Sequence, residues 1–287
     1  MNQFLLRIPD HLGDGVMAIP AVRAFCDLGP VQLVGPSWTE RLYAGLVRDH
    51  AIEPKTAVLF KPSFSAAWKH RHYARRIGHR GEWRRWLLTD PIDPRSGHRT
   101  EEYAALARHV DATVAGPPAF ETTEEERKDA ASVSRDSVLL LPLSKSQATV
   151  GWRRFRLLAE HLGDRALFAA GPGECAELAE IAGPHPCLPP LDIGRFAAIA
   201  QRVDRVVGND SGLAHLASAA RHAVGLPEES VHVVFGSTTP EKTGPIGCTP
   251  HLRAPLPCHP CYRKTCAVAD EAPCLEVDLK SVAAAIG

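Results

Sequence analysis

Several short stretches of this chain gather residue types that can do chemistry. The first is Asp10-His11-Leu12-Gly13-Asp14-Gly15. It follows an apolar run at 4–8 and opens a segment in which Val16, Ile19, Val22, Ala24 and Phe25 recur at helical spacing. Carboxylates in such a turn would repel a phosphate, and the spacing is not that of a dinucleotide-binding loop. A carboxylate here is suited to take a proton from a hydroxyl. Alternatively, Asp14 is an ordinary helix cap. The second stretch is Gly208-Asn209-Asp210-Ser211-Gly212-Leu213-Ala214-His215. Gly212 lets a ligand approach the backbone. The exposed N–H groups and positive helix end favour an anion such as a diphosphate, and His215 could add a donor. Simple capping by Asn209, Asp210 or Ser211 is the plainer alternative.

Three further stretches share this character. Leu143-Ser144-Lys145-Ser146 offers hydroxyls and an ammonium at a strand's end, which suit phosphate oxygens or make a polar loop. In Ala170-Gly171-Pro172-Gly173-Glu174, the glutamate could accept hydrogen bonds from a ribose diol or merely favour a helix start. The hydroxyl-rich turn at 235–242 could border the same site or cap a helix. Residues 69–85 hold seven Lys/Arg against one acid, Glu82, interleaved with Tyr73 and Trp83, and flanked by Trp68 and Trp86. That run reads as a solvated helix face, a docking surface for an anionic acceptor, or a nucleic-acid patch. Four of the eight cysteines, Cys258, Cys261, Cys266 and Cys274, are spaced C-x2-C-x4-C-x7-C. Free thiols are expected there, with no metal. A structural zinc on four thiolates is the alternative.

These stretches must be positioned by strands and helices. Strands are predicted at 4–8, 31–34 and 57–60, with helices at 14–27, 39–47 and 66–76. After Pro117-Pro118 and an acidic run, a fresh pattern begins. It has strands at 137–143, 166–170, 205–208 and 231–235, and helices at 152–161, 174–182, 193–202 and 213–220. Strands alternating with helices indicate parallel sheets with crossover helices. The expectation is an α/β protein of two facing Rossmann-like domains, 1–133 and 134–287, joined by a polar linker near 117–135. Ligands would then bind at the carboxyl ends of the strands, in the cleft between the halves.

The 287 residues are 45% apolar and 23% charged, with a formal net charge of zero, the balance of a water-soluble globular chain. Nothing in that balance favours nucleic acid as partner. No apolar stretch is long enough to span a membrane, and the N-terminus lacks a signal-peptide pattern. A cytoplasmic protein is expected, able to work at the inner face of a membrane.

Taken together, the motifs resemble glycosyltransferase family 9, the ADP-heptose:lipopolysaccharide heptosyltransferases. LLRIPDHLGDGVMAIPAVRAF, KPSFSAAW, RRIGHRGEWRRWLLTD, AAGPGE, GNDSGLAHLASAA and FGSTTPEKTGPIG stand in the family's order, and CHPCYRKTC is similar to the tail of its second-heptose members. The resemblance implies a GT-B fold, inversion at the anomeric carbon, an ADP-heptose donor and no catalytic metal or cofactor. It implies Asp14 as general base, with Asp10, Gly13 and Arg80 on the acceptor side. It places Ser144, Lys145, Gly171, Glu174, Asp210, Ser211, Gly212 and His215 around the donor, with Glu174 near the ribose and Leu188 or Leu191 near the adenine. The implied acceptor is the lipopolysaccharide inner core or a small-molecule intermediate. A different nucleotide-sugar donor, or a non-catalytic nucleotide-sugar-binding module, is the alternative. The last helix is expected to pack back on the first domain. One departure stands out. The family's Lys-Arg pair before the Trp that opens the second domain's first helix is replaced here by Val150-Gly151, which leaves Lys145, Arg153 or Arg154 to hold phosphate.

Overall fold

The computed structural model describes residues 3–47, 52–81, 83–253, 256–269 and 271–287, so Glu82 lies outside it. The chain divides into two compact units, Met1–Pro118 and Ala119–Gly287.

In the first unit, β1 (Phe4–Arg7) leads into α1 (Leu12–Leu28), followed by β2 (Val31–Val34), α2 (Thr39–Leu42), β3 (Thr56–Leu59), α3 (Phe64–Lys69), β4 (Arg75–His79), β5 (Asp90–Ile92) and α4 (Arg99–Arg108). The five strands pair in parallel in the order β2-β1-β3-β4-β5. Phe4, Leu5 and Leu6 of β1 are buried, as a central parallel strand covered on both faces requires. Helix α1 packs along α4.

The second unit holds α5 (Glu124–Asp129), β6 (Val138–Leu141), α6 (Gln147–Val150), α7 (Phe155–Leu162), β7 (Ala166–Phe168), α8 (Cys175–Ala182), α9 (Ile193–Arg202), β8 (Arg205–Asn209), α10 (Gly212–Ala223), β9 (Val231–Val234), α11 (Pro240–Thr243), β10 (Thr249–His251) and α12 (Leu279–Ile286). Its strands are also all parallel, in the order β10-β9-β8-β6-β7. Counted from its own first strand, that order is the one found in the first unit. In each sheet the winding reverses beside the first strand, between β1 and β3 and between β6 and β8. That reversal opens a crevice at the carboxyl ends, the place where such sheets bind ligands. All four side chains of β6 are buried. Each contributes about 1.5–3 kcal/mol relative to exposure.

Three expectations change. The 117–135 segment is not a free linker. The Phe120 N–H donates to the Ala219 carbonyl at 3.0 Å, the Thr122 hydroxyl donates to Gln201 at 2.7 Å, and α5 packs against α9. Its polarity reflects a capping box, in which Thr123 and Glu126 satisfy each other's backbone N–H groups. The boundary of the compact units therefore falls at 118/119 rather than 133/134. Helix α12 packs on α7 within the second unit, where Val282 and Ile286 join Phe155, Leu158 and Ala159 in the core. Finally, the basic run is not one solvated helix. Strand β4 runs through it, with Ile77, Gly78 and His79 buried.

Candidate functional site

Strand β1 ends at the reversal point of the first sheet and delivers the 10–15 turn there. Its two carboxylates are handled differently. Asp10 is clamped, with Arg7 Nη2 on one oxygen at 2.6 Å and Lys61 Nζ on the other. Partial burial pushes its carboxyl upward, but the bonds to Lys61 and Arg7 outweigh this and hold it below its ordinary value. A carboxylate occupied on both oxygens by cations is a poor base. Asp14, on the first turn of α1, is a quarter exposed. The Tyr103 hydroxyl donates to its Oδ1 at 2.9 Å, and Arg99 Nε lies 3.8 Å from the same oxygen. Among the described residues, nothing is hydrogen-bonded to its Oδ2. Tyr43 donates to the Gly15 carbonyl at 2.7 Å and fixes the turn's far side. Burial first, and then the charge of Asp14, raise both tyrosines well above their ordinary range, so they stay donors. Burial works against the Arg99 charge, but Tyr103, Glu102 and Asp14 together more than offset it.

Gly13 is buried on α1. At Gly15 a Cβ would lie 2.5 Å from the Trp38 ring, so a side chain there requires that ring to move. Arg80 follows β4, two strands from β1 or about 10 Å at ordinary strand spacing, and pairs with Asp93 at 2.7 Å. Three of the other six cations of the 69–85 run are engaged internally. Arg75 binds Asp90, Arg76 bonds backbone carbonyls, and Arg84 is fully buried, donating to the carbonyls of His79 (2.6 Å) and Lys61 (2.7 Å). Tyr103, Arg99 and Arg84 were missed by the sequence reading. The first two stand four apart on α4, on one helical face, so the spacing held a signal.

In the second unit the expected donor residues lie at the carboxyl ends of three neighbouring strands, β7, β6 and β8. Asn209 is a strap rather than a helix cap. It is fully buried, accepts the Trp152 N–H at 3.0 Å and donates to the Pro142 carbonyl, joining the ends of β8 and β6. Asp210 accepts from the Thr243 hydroxyl at 3.1 Å and lies 3.7 Å from buried His215. Ser211 caps α10, accepting the Ala214 N–H at 3.4 Å. The N–H groups of Gly212 and Leu213 remain at the helix start, where they and the helix dipole favour an anion. The Ser144 N–H donates to Gln147 Oε1 at 3.0 Å, and Lys145 is exposed in the turn beside it. Beyond β7, Glu174 turns back to accept the Gly171 N–H at 2.8 Å. The Leu188 N–H donates to Phe168 at 2.8 Å, and Leu188 and Leu191 are half-buried.

The departure before Trp152 has a physical cause. A Cβ on Gly151 would meet the Gln147 carbonyl oxygen at 2.7 Å, so this turn has no room for a basic side chain. Arg153 pairs with Glu271 at 2.6 Å. The turn at 236–239 is packed equally tightly. A Cβ on Gly236 would strike the Thr149 carbonyl at 2.1 Å, and the Cys261 and Tyr262 N–H groups donate to Ser237. All four tail cysteines are free, and no three His, Cys, Asp or Glu among the described residues are arranged to hold a metal. The Cys266 thiol is drawn down by the N–H groups of Val268 and Ala269, while burial and then its cysteine neighbours push Cys274 up. Among the described residues no helix is long and apolar enough to cross a membrane.

The chain is 26% identical over 233 residues to lipopolysaccharide heptosyltransferase 1 of Pseudomonas aeruginosa, an alignment covering 78% of this chain and 56% of the relative. It thus spans little more than half the length of that curated relative. The fold matches E. coli ADP-heptose LPS heptosyltransferase II with a TM-score of 0.76 at 17% identity, covering 100% of this chain and 97% of the other. It also matches E. coli heptosyltransferase WaaC solved with ADP-2-deoxy-2-fluoro heptose, with a TM-score of 0.68 at 15% identity, covering 98% and 97%. These likenesses give the GT-B fold. The model of one family, glycosyltransferase family 9 (heptosyltransferase), matches residues 56–271, and the chain belongs to that family.

Proposed function

We propose that this chain is an inverting glycosyltransferase that moves a heptose from ADP-heptose to an acceptor hydroxyl. The observation that carries the reading is the contrast between the two carboxylates of the first turn. Asp10 is neutralised by two cations, whereas Asp14 is oriented by Tyr103 with one oxygen open. A carboxylate so placed can remove a proton from an acceptor hydroxyl as that oxygen attacks the anomeric carbon. The bond from that carbon to the diphosphate breaks on the opposite face, which inverts the centre. ADP departs with the electron pair. Its charge falls to the N–H groups at the start of α10 and to Lys145, the kind of preorganised stabilisation that supplies much of an enzyme's rate. Glu174 faces the ribose beside Gly171, and Leu188 or Leu191 the adenine. The scheme uses no metal and no cofactor.

Support for the donor comes from the family and from the neighbouring structure with an ADP-heptose analogue. The name of the Pseudomonas relative supports a lipopolysaccharide acceptor. With such an acceptor the protein works at the cytoplasmic face of the membrane, in peripheral contact with it. Calorimetric titration with ADP, UDP, GDP and ADP-heptose tests the donor. Selective binding of ADP and ADP-heptose is expected, and preference for UDP or GDP would replace the donor. Turnover on lipopolysaccharide core, compared with small soluble acceptors, then tests the acceptor.

A further inference from the structure

Three of the chain's five tryptophans gather on one exposed surface that the proposed reaction does not use. Trp83 is 87% exposed, Trp86 84% and Trp68 51%, and Phe64 beside them is 44% exposed. Helix α3, with Ser63 as its cap, packs against the single turn formed by Arg84–Leu87. The inner side of that turn is pinned by buried Arg84 and by Leu88, which packs with Ala67, Leu59 and Leu5. Residues 83, 85 and 86 are thereby turned outward. On α3 the Phe64 and Trp68 rings stack with centroids 6.2 Å apart, and the Arg71 guanidinium lies 4.3 Å from the Trp68 ring. Water-exposed indoles in such number are unusual on a soluble surface and mark an interaction site.

The charges around the rings indicate the partner. Lys69, Arg71 and Arg85 are exposed among the aromatics, and no described carboxylate forms an ion pair with any of them. Between Lys61 and Thr89 the sequence has a single acid, Glu82. Tryptophan is the side chain most at home at the headgroup level of a bilayer, where its ring is half desolvated and its N–H still finds partners. Cations beside it add attraction to anionic headgroups. The α3 and 83–87 surface thus carries both elements of an interfacial anchor, an apolar wedge and a basic collar, on a rigid support. We propose that this surface docks the protein on an anionic phospholipid bilayer, with Trp83 and Trp86 entering the headgroup layer and Lys69, Arg71 and Arg85 on lipid phosphates. This deepens the peripheral contact proposed above and rests on that reading only for its purpose. Lipid binding is measured without donor or acceptor.

The test is flotation of the full chain with vesicles of phosphatidylcholine alone and with 40% phosphatidylglycerol, alongside quenching of tryptophan emission by brominated lipid. We expect binding to the anionic vesicles only, quenching of the emission, and loss of binding above about 0.5 M salt, where screening is strong. The double variant Trp83→Ser, Trp86→Ser should partition at least tenfold more weakly, and Lys69→Gln with Arg85→Gln should also weaken binding about tenfold. Both should bind ADP as the parent does, which reports that the fold is intact. Parent protein that stays off anionic vesicles overturns the proposal. So does a tryptophan double variant that binds them as tightly as the parent. A solution dimer that the tryptophan double variant dissolves would assign the surface to a second copy and overturn it too. ADP binding that fails in every variant and in the parent would strike the donor reading, not this one.

Discussion

Replacing Asp14 by asparagine tests the proposed mechanism most directly. The change keeps the size of the side chain and an Oδ1 acceptor, so the 2.9 Å bond from Tyr103 can persist and the turn need not rearrange. The carboxylate's proton affinity disappears. General-base removal costs roughly 10²–10⁴ in turnover. The lower figure corresponds to about 2.7 kcal/mol of barrier at ~1.36 kcal/mol per decade. Donor binding, assigned to the other unit, should be unchanged. Asp10→Asn is the matched control. Its carboxylate already holds Arg7 and Lys61, and losing that charge should loosen the turn and slow turnover by no more than about tenfold, the effect of disturbed positioning rather than lost chemistry. Release of ADP under saturating donor and acceptor gives kcat, and calorimetry gives the donor affinity. An Asp14→Asn protein turning over within threefold of the parent, or an Asp10→Asn protein that loses as much, would refute the assignment.

Other outcomes follow from particular contacts. Asn209→Ala leaves the Trp152 N–H unpaired in a buried place and leaves the Pro142 carbonyl with Gln147 as its donor. It should cost about 1–3 kcal/mol in urea unfolding and weaken ADP binding, since both strand ends at the donor site lose their tie. Arg84→Met strands one buried and one partly buried carbonyl and should destabilise by ~1–3 kcal/mol, although sequence inspection would class it as a surface arginine. Gly151→Lys, which reinstates a basic side chain before Trp152, should lower stability without raising ADP affinity, because its Cβ meets the Gln147 carbonyl. His232 is held down to about 4 by burial and then by stacked His251, so the folded form resists protonation. The unfolded chain takes that proton below about 6.5. The pair's contribution is therefore fully present above that pH and is lost as pH falls towards 4. His232→Leu should flatten this part of a stability–pH curve measured by thermal melting.

The sequence made the alternation of strands and helices legible because the central strands are buried on both faces and read as plain apolar runs, as in SVLLLPL. It failed where charge conceals burial. The strand at Arg75–His79 looked like solvated helix because arginines that bond backbone carbonyls are indistinguishable, in sequence, from arginines in water. Helix α4 went unread for a related reason. Its buried face is mostly alanine and its outer face charged, so its apolar stripe is faint. At the site, the two turns at the sheet reversals were visible from glycine and capping residues. The roles within them were not. Nothing local distinguishes Asp10 from Asp14, since the difference lies in Lys61 and Tyr103, brought from 51 and 89 positions away. Likewise Asn209 read as a candidate helix cap and is a strap, because its partners arrive from two other loops.

The place of the last helix has a consequence for synthesis. Every strand of the first sheet has emerged by residue 92, and its unit is closed by 118. The core of the second unit instead requires Val282 and Ile286 against Phe155 and Leu158. At about 5–20 residues per second, the first unit waits on the order of ten seconds or more as a finished body while its neighbour remains open. Until α12 arrives, the part of α7 that Val282 and Ile286 cover is bare. The nascent second half is then the stretch most in need of a chaperone, and truncations within the final turns of α12 should be felt as poor yield before they are felt as lost activity.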